Sequence, residues 1–230
     1  MTVKELLSHV DHTLLSPSAV WEDVRALCDE AMEFGTASVC IPPTFVKRAK
    51  AYCGDRMRIC TVIGFPAGYH KPAVKALETR LACEDGADEI DMVINIGLLK
   101  EGKTDEVREE IARVRKECEG KILKVIIETC LLTEQEKIDM CRVVGEAGAD
   151  YIKTSTGFSH GGATREDVAL FALHCQKPLR IKAAGGIRTL EDGAAFLALG
   201  ADRLGTSRVV KILKEQEKKG ENDEIPDSSY

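Results

Sequence analysis

Short, mostly apolar runs alternate with longer amphipathic segments along the chain, and this alternation limits the fold more than any other feature of the sequence. Each run is short enough for one strand, and each intervening segment is long enough for a helix. Eight runs occur, at residues 9–15, 37–41, 58–64, 89–95, 122–128, 151–155, 179–184 and 203–207. Repeated strand–helix units are typical of a parallel sheet covered by helices. The pattern therefore predicts an α/β protein with eight parallel strands.

A weak internal repeat places a glycine where a helix ends and a strand begins. It is clearest in EDGADEIDM around Gly86, EAGADYIKT around Gly148 and ALGADRLGT around Gly200, and residues 34–37 are a fainter copy. Glycine commonly ends helices in the left-handed conformation, so the even-numbered strands share one entry turn. This quasi-repetitive order favours a single-domain, closed (β/α)8 TIM barrel. An open doubly wound sheet is the alternative.

Capping signals support helices between the strands. A threonine stands three residues before a carboxylate at three of the expected helix starts between strands, namely Thr133 with Glu136, Thr164 with Asp167, and Thr189 with Asp192. In such a capping box the two side chains satisfy N–H groups that the first helical turn leaves free. We therefore expect a helix to begin after each of these threonines.

Length and composition fit one compact domain with a polar end. The 230 residues are 44% hydrophobic and 30% charged, which suits a globular domain of the size of single-domain barrels. Residues 211–230 begin as a last helix and then become too polar to pack onto a core. We expect a barrel at residues 1–219 and a flexible tail at residues 220–230.

The charge pattern and the cysteines argue against several classes of partner and site. The net charge is −6 with both signs interleaved, so no basic surface for nucleic acid is expected. Residues 1–15 contain charges and no continuous apolar run, which predicts neither a secretory signal nor a membrane span. Nine cysteines are scattered without a C-x-x-C pair, which argues against a disulfide framework and a metal site. A cytoplasmic protein with reduced thiols is expected.

Three charged residues interrupt the apolar strands, namely Asp91, Lys153 and Lys182. A charge inside a barrel is costly unless it is paired, so the three should lie together. Two lysines on neighbouring strands disfavour each other's protonated form. Desolvation and such a neighbour lower a lysine pKa from about 10.4 to roughly 7 to 8, where the amine attacks a carbonyl. The pattern predicts a nucleophilic lysine, with Asp91 relaying protons.

Two glycine-containing loops indicate a phosphate site. Gly185 and Gly186 follow the seventh strand, and Gly205, Thr206 and Ser207 end the eighth. Barrels often bind phosphate through the backbone of the loops after these two strands, and small residues let the backbone approach an anion. Residues 154–157, which include Thr156 and Gly157, extend the same polar rim. The Gly-Gly pair alone is also compatible with a tight turn.

Six segments together resemble the deoxyribose-phosphate aldolase family over nearly the whole chain: DHTLL at 11–15, VCIPP at 39–43, EIDMVINIG at 89–97, LKVIIET at 123–129, YIKTSTGF at 151–158 and IKAAGGIRT at 181–189. IKTSTG and KAAGGIR in this order are the most specific. The resemblance implies a class I aldolase. Such an enzyme reversibly cleaves 2-deoxy-D-ribose 5-phosphate to acetaldehyde and D-glyceraldehyde 3-phosphate without metal or organic cofactor.

The resemblance also implies roles for individual residues. Lys153 matches the Schiff-base lysine, Lys182 the lysine that tunes it, and Asp91 the proton-relay carboxylate. The remaining matches are Asp11, Thr13 and Cys40 as lining near the substrate, Thr156, Gly157, Gly185, Gly186, Gly205, Ser207 and Arg208 as substrate- or phosphate-binding positions, and Tyr230, in the terminal SSY, as a residue that assists proton transfer.

Three positions depart from the family pattern. Phe158 stands where some members carry a lysine, Arg208 where many carry a second serine, and Cys130 where a glycine is common. These changes affect the expected phosphate contacts more than the chemistry. Arg208 either supplies the cation missing at position 158 or points outward from the last helix.

Rival functions remain open at this point. One is another phosphosugar aldolase or a pyridoxal-phosphate enzyme, and the other is an inactive barrel that senses a phosphosugar. The partners expected are a phosphosugar substrate and a second copy of the chain, as a homodimer or homotetramer, with neither nucleic acid nor membrane. His12 is interpreted as a structural hydrogen-bonding residue.

Overall fold

The computed structural model describes the backbone of residues 1–219 and the side chains of residues 1–216. Eight parallel strands form a closed barrel in the order β1 to β8, which confirms the predicted (β/α)8 barrel and excludes the open sheet. The strands are β1 (Val10–Thr13), β2 (Ser38–Ile41), β3 (Ile59–Ile63), β4 (Glu89–Val93), β5 (Ile122–Ile126), β6 (Tyr151–Lys153), β7 (Arg180–Ala184) and β8 (Arg203–Thr206). The predicted tail, residues 220–230, lies outside the described residues.

Ten helices are described within residues 1–219, and they surround the barrel. They are α1 (Val3–Leu7), α2 (Trp21–Phe34), α3 (Val46–Cys53), α4 (Pro72–Glu84), α5 (Ile96–Lys100), α6 (Thr104–Glu117), α7 (Glu134–Glu146), α8 (Arg165–His174), α9 (Leu190–Ala198) and α10 (Val209–Lys219). Within the described residues, no helix is both long and apolar enough to cross a membrane.

The predicted helix starts are confirmed, with one difference. Thr133 and Thr189 each form a full capping box at the start of α7 and α9. The Thr164 hydroxyl accepts a hydrogen bond from the Asp167 backbone N–H. The Asp167 carboxylate is instead 2.5 Å from Lys137 on α7, so the second half of that box is replaced by an ion pair between neighbouring helices.

The glycine turns before the even-numbered strands are also confirmed. Gly35, Gly86, Gly148 and Gly200 all have positive φ, between 66° and 107°. An L side chain disfavours this conformation, so the same backbone turn recurs around the barrel and aligns each following strand.

The predicted strands are too long at their carboxyl ends. β4 ends at Val93 and β6 at Lys153, whereas the predicted strands extend to residues 95 and 155. The chain leaves the ladder there and forms the loops at one mouth of the barrel. The apolar core lies mainly between the barrel and the helices, whereas much of the barrel interior is charged.

Candidate active site

The three charged strand residues predicted from the sequence meet inside the barrel. One carboxylate oxygen of Asp91 on β4, Oδ2, is 2.7 Å from Nζ of Lys153 on β6 and 2.7 Å from Nζ of Lys182 on β7. The two lysines are register partners on neighbouring strands, so their amines share one carboxylate. All three side chains are buried, and of the three only Lys153 lines the cavity above them.

A second group of buried charges supports this trio from below. Lys124 on β5 places Nζ 2.9 Å from Asp91 Oδ1 and 2.5 Å from Glu89 Oε2. Arg203 on β8 lies 2.6 Å from Asp11 Oδ1, and the other oxygen of Asp11 is 2.5 Å from Lys182. Asp11, predicted to line the substrate site, is therefore a fully buried partner of Lys182 and lies outside the cavity lining.

Sequence reasoning missed Glu89, Lys124 and Arg203. The signal was present, because Glu89 stands two residues before Asp91 and Lys124 interrupts the apolar run ILKVI. Residues two apart on a strand point to the same face, so Glu89 had to share the interior with Asp91. Arg203 opens its strand, a position that on sequence alone is compatible with solvent exposure.

The network keeps its carboxylates and supporting lysines charged. Burial alone would raise the pKa of Asp91, but Lys124, Lys153 and Lys182 outweigh it and hold that pKa well below its ordinary value. Burial likewise opposes charge on Lys182, yet the carboxylates of Asp11 and Asp91 raise its pKa. The pKa of Lys124 is raised for the same reason. The charged form of Lys182, beside Lys153, is therefore favoured.

Lys153 differs from the other cations of the barrel interior in its access to the cavity. Among the described residues, the barrel interior holds four cationic side chains and three carboxylates, namely Lys124, Lys153, Lys182 and Arg203 against Asp11, Glu89 and Asp91. An uncompensated charge in a low-dielectric interior is costly. The interior thus holds one cation more than it has carboxylates, and Lys153 is the one of the four cations that also lines the cavity.

A cavity of about 1040 Å³ opens directly above Lys153. It is lined by the loops after β1, β6, β7 and β8, including Thr13, Thr156, Gly157, Gly185 and Ser207. In (β/α)8 barrels these carboxyl-terminal loops carry the active site. The Lys153 amine is therefore accessible to a molecule that enters the cavity from the loop side.

The glycines predicted to bind phosphate give the cavity a backbone wall. Gly157, Gly185 and Gly186 have φ values of 85°, 81° and 78°, which only glycine adopts easily. Gly205 is tightly enclosed, because a Cβ there would lie 2.9 Å from Ala184 Cβ and 3.2 Å from Lys182 Cε. These glycines suit close approach of an anion to backbone N–H groups.

The profile of the DeoC/LacD family of aldolases matches residues 6–209. The chain belongs to this family. It is 56% identical over 220 residues to a deoxyribose-phosphate aldolase of Clostridium botulinum, covering 96% of this chain and 100% of that protein. A deoxyribose-phosphate aldolase of Streptococcus pyogenes is 53% identical over 216 residues, which is 94% of this chain and 97% of that protein.

Solved structures of aldolases have the same fold. An aldolase named QR15 is 35% identical, with a TM-score of 0.88 over 94% of this chain and 98% of that one. A deoxyribose phosphate aldolase from Aeropyrum pernix, described as a unique tetramer, is 34% identical with a TM-score of 0.86, over 94% of this chain and 92% of that one. The family resemblance recognised in the sequence motifs is therefore confirmed.

The remaining predicted positions of this aldolase fall into three groups. Thr13, Ser207 and Arg208 line the cavity. Cys40 is fully buried in a small cluster with Cys60 and Val62, outside the cavity lining. Tyr230 lies outside the described residues.

Glu128 is a positioning residue that the sequence did not reveal. It follows β5 with a φ of 55°, the only positive φ of a non-glycine residue in the described chain. Its carboxylate accepts hydrogen bonds from the backbone N–H and the hydroxyl of Thr156. The unfavourable backbone conformation therefore coincides with a contact that holds the loop carrying Gly157.

The departures from the family pattern have separate structural settings. Phe158 packs edge-to-face on Phe65 with ring centroids 5.2 Å apart, so it supplies an apolar edge to the cavity. Cys130 places Sγ 3.4 Å from the Ser159 hydroxyl, in the neighbouring loop. Three cations at the rim, Arg188, Arg208 and Lys211, also line the cavity, and two of these were absent from the predicted set.

The network also contains groups that resemble metal ligands. Within the described residues, Cys60 and Asp91 combine with Cys40 in one such set, and Cys60 belongs to a second with Asp11 and Glu89. The ammonium group of Lys124 lies 3.3 Å from Cys60 Sγ and 2.9 Å from Asp91. A cation already compensates these ligands, so the arrangement fits the chemistry of an amine better than that of a bound metal ion.

Proposed function

We propose that this aldolase reversibly cleaves 2-deoxy-D-ribose 5-phosphate to acetaldehyde and D-glyceraldehyde 3-phosphate through a Schiff base at Lys153. One observation carries the proposal: the Lys153 amine stands at the floor of the cavity, 2.7 Å from a carboxylate that a second lysine also contacts. The curated relatives named deoxyribose-phosphate aldolase support the choice of substrate.

The chemistry begins with attack of the Lys153 amine on C1 of the open-chain aldehyde. The resulting carbinolamine loses water and becomes an iminium ion. Deprotonation of the C3 hydroxyl then breaks the C2–C3 bond, which releases D-glyceraldehyde 3-phosphate and leaves an enamine on Lys153. Protonation of C2 and hydrolysis release acetaldehyde and return the free amine.

The buried partners support these steps without entering the cavity. Asp91 contacts both amines through Oδ2, so it is placed to exchange protons during loss and return of water. Lys182 keeps its charge, because the carboxylates of Asp11 and Asp91 raise its pKa against the effect of burial. That charge disfavours a second one on Lys153.

We place the phosphate of the substrate against the glycine wall formed by Gly157, Gly185 and Gly186, with Ser207 and Arg208 at its edge. Thr156 and Gly205 shape this wall, and Thr13 lies beside the sugar. Backbone N–H groups at a helix N-terminus suit an anion, and α10 begins at Val209. Cys40 contributes packing next to the site.

Reductive trapping tests the proposal. Incubation of the protein with acetaldehyde and borohydride should leave an N-ethyl group on Lys153, which peptide mapping by mass spectrometry locates. Lys153→Ala should show no such adduct and should lose at least roughly 10⁴-fold in kcat/KM, on the scale of removing a catalytic nucleophile. A Lys153→Ala protein that still cleaves the sugar phosphate would overturn the assignment.

We also propose that Tyr230 assists proton transfer at the enamine carbon, as its place in the terminal SSY suggests. Deleting this single residue should slow the exchange of the acetaldehyde methyl protons with deuterated water while Schiff-base trapping at Lys153 persists. Unaltered exchange would exclude the role.

We further propose that the chain works as a homo-oligomer in the cytoplasm. Val74, Leu77 and Leu81 form an apolar stripe on the outer face of α4, each between 46% and 49% exposed, and one related aldolase is described as a tetramer. The nine free cysteines suit a reducing compartment. Analytical ultracentrifugation should give the mass of at least a dimer for wild type. Leu77→Glu should lower the mass of the assembly. A monomeric wild type would contradict this proposal.

A further inference from the structure

The ion pairs of the barrel interior join into a closed ring. Each of six buried side chains lies within 3.2 Å of the next, and the sixth lies 2.7 Å from the first. Carboxylates and cations alternate around the ring, so every charge has two neighbours of opposite sign. We call this arrangement the charge ring, and its members in order are Asp91, Lys124, Glu89, Arg203, Asp11 and Lys182.

Lys153 is attached to the charge ring through one atom. Asp91 Oδ2 contacts the amines of Lys153 and Lys182, each at 2.7 Å. The other oxygen, Oδ1, accepts hydrogen bonds from Lys124 at 2.9 Å and from the Cys60 thiol at 3.2 Å. The two donors to Oδ1 fix the plane of the carboxylate, and this leaves Oδ2 pointing at the reacting amine.

The far half of the charge ring has no access to the substrate. Among the described residues, neither Glu89 nor Arg203 belongs to the cavity lining. They contact each other at 3.2 Å and reach Asp91 and Lys182 only through the remaining ring members, Lys124 and Asp11. Charges that are this close together and buried are weakly screened, so a change of charge at one member alters the electrostatic energy of the others.

Other titratable groups also surround Lys153. Besides the charge ring, those contributed by the barrel strands are Cys40 on β2, Cys60 on β3 and Tyr151 on β6, and the exposed Arg58 stands beside Glu89. Above Lys153, the charged or titratable groups of the cavity lining are His12, Asp23, Glu30, Arg188, Arg208 and Lys211. Substitutions in the far half of the charge ring leave the groups of the cavity lining in place, so their effect on Lys153 is common to wild type and variants.

We propose that the charge ring sets the pH range in which Lys153 is a free amine, with Glu89 and Arg203 as positioning residues that act on it through the rest of the ring. Loss of Glu89 leaves the ring with an excess positive charge, which disfavours protonated Lys153. Loss of Arg203 leaves an excess negative charge, which favours protonated Lys153. The inference rests on the proposed function, because it concerns the amine that forms the Schiff base.

The two substitutions separate this role from a structural one. Removing either Glu89 or Arg203 breaks buried ion pairs, so both changes lower stability. A purely structural role therefore gives both variants the same kind of defect. The charge ring instead predicts that the pH dependence of activity moves in opposite directions in the two variants.

The test follows kcat/KM for cleavage of 2-deoxyribose 5-phosphate as a function of pH. Glu89→Gln should move the rising limb of the profile to lower pH by about 0.5 to 1 unit, less than the roughly 1–3 units of a charge in direct contact. Arg203→Gln should move the limb to higher pH by a similar amount. In the double variant Glu89→Gln/Arg203→Gln the charges of the ring balance again, so the limb should return to within about 0.3 unit of wild type.

Glu110→Gln is the matched control for these variants. Glu110 is a buried carboxylate paired with Lys75 at 2.8 Å, but it lies between α4 and α6, outside the barrel. Its substitution should lower stability and leave the rising limb in place.

A surface variant tests the same idea without disturbing a buried contact. Arg58 is 63% exposed, and its Nη1 lies 3.9 Å from Glu89 Oε1. Arg58→Glu places a negative charge beside the ring, so the limb should move to higher pH by a few tenths of a unit, because solvent screens an exposed charge. Arg142→Glu, at a 56% exposed arginine of α7, makes the same change in net charge away from the ring and should leave the limb in place.

Any result other than opposite shifts of Glu89→Gln and Arg203→Gln in these directions overturns the proposal. If those two variants do not fold, identical profiles for Arg58→Glu and Arg142→Glu overturn it. Failure of wild type to form an N-ethyl group on Lys153 in reductive trapping would instead contradict the proposed function itself. Trapping that persists at Lys153 while no limb moves would contradict only the role of the charge ring.

Discussion

This aldolase contains two buried groups of paired charges, and the balance between burial and ion pairing shifts the pKa values in opposite directions in the two groups. In the barrel interior, Asp91 contacts Lys124, Lys153 and Lys182, and the pKa of Asp91 is lowered. Between α4 and α6, Lys75 contacts Glu110 at 2.8 Å. There burial lowers the pKa of Lys75 and raises that of Glu110, so burial outweighs the pairing.

The number of opposite charges around each group explains the difference. Asp91 has three ammonium partners, which together exceed the cost of desolvation. Glu110 has one, and its second oxygen accepts only the Asn95 N–H. Lys75 also donates to the Val93 carbonyl, so the pair anchors the end of β4. In the barrel interior the charged form of Asp91 is thus favoured, whereas the Lys75–Glu110 pair links two helices to the strand that carries Asp91.

Removing Asp91 should have the largest effect. Asp91→Asn leaves three lysine amines around a neutral amide, and breaking a buried ion pair from one side typically costs about 3–5 kcal/mol of unfolding free energy. Urea unfolding measures this loss, and borohydride trapping should also fail. Asp105→Asn, at an exposed residue of α6, is the control. A stability equal to that of the control would mean that Asp91 does not organise the interior.

Lys182→Met should have the second-largest effect, and we expect this effect on activity. With the neighbouring cation gone, protonation of the nucleophile is less disfavoured, so we expect kcat/KM at neutral pH to fall by about 100-fold, within the range of acid–base effects. The rising limb of the pH profile should move to higher pH. If kcat/KM falls by the same factor at every pH and the pH profile does not shift, Lys182 has a packing role only.

Glu110→Gln should cost less than Asp91→Asn, about 1–3 kcal/mol, the range for one unsatisfied buried group. The pKa of Lys75 is already lowered by burial, so Lys75 loses its proton more readily than Lys124 or Lys182, whose pKa values are raised. The double variant Lys75→Met/Glu110→Leu should return to within about 1 kcal/mol of wild type, since apolar replacement of a buried pair is often neutral. A double variant worse than Glu110→Gln would show that the hydrogen bonds to β4 dominate.

The smallest effect is a difference in how stability depends on pH. The folded pKa of Asp91 is lowered, so its contribution is present above its unfolded pKa of about 3.9 and is lost as pH falls below that value. The folded pKa of Glu110 is raised, so folding becomes less favourable as pH rises from about 4.3 towards the folded pKa.

Unfolding free energies measured between pH 4 and pH 7 test this contrast. The free energy of unfolding of the Lys75→Met/Glu110→Leu variant, relative to that of wild type, should increase from pH 4 to pH 7, because only wild type carries the carboxyl group whose folded pKa is raised. A constant difference across the interval would contradict the raised pKa of Glu110.

The sequence by itself determined the barrel and the three charged strand residues, Asp91, Lys153 and Lys182, that meet inside it. The alternation of strand-like and helix-like runs, the repeated glycine turns and the threonine caps are local properties, and each depends on residues within a few positions of one another. The same is true of the loop glycines and of the motifs around Lys153 and Lys182. This is why eight strands and the central trio could be predicted.

Only the tertiary structure decided how the charges pair. Lys182 reaches an aspartate 91 positions away, and Arg203 reaches one 192 positions away, because closing the barrel brings β8 against β1. The alternation of side chains along a strand predicts which face of the sheet Lys124 and Glu89 occupy. It does not predict which residues of other strands they contact there. The balance between burial and pairing, which sets the protonation of these groups, depends on that three-dimensional neighbourhood.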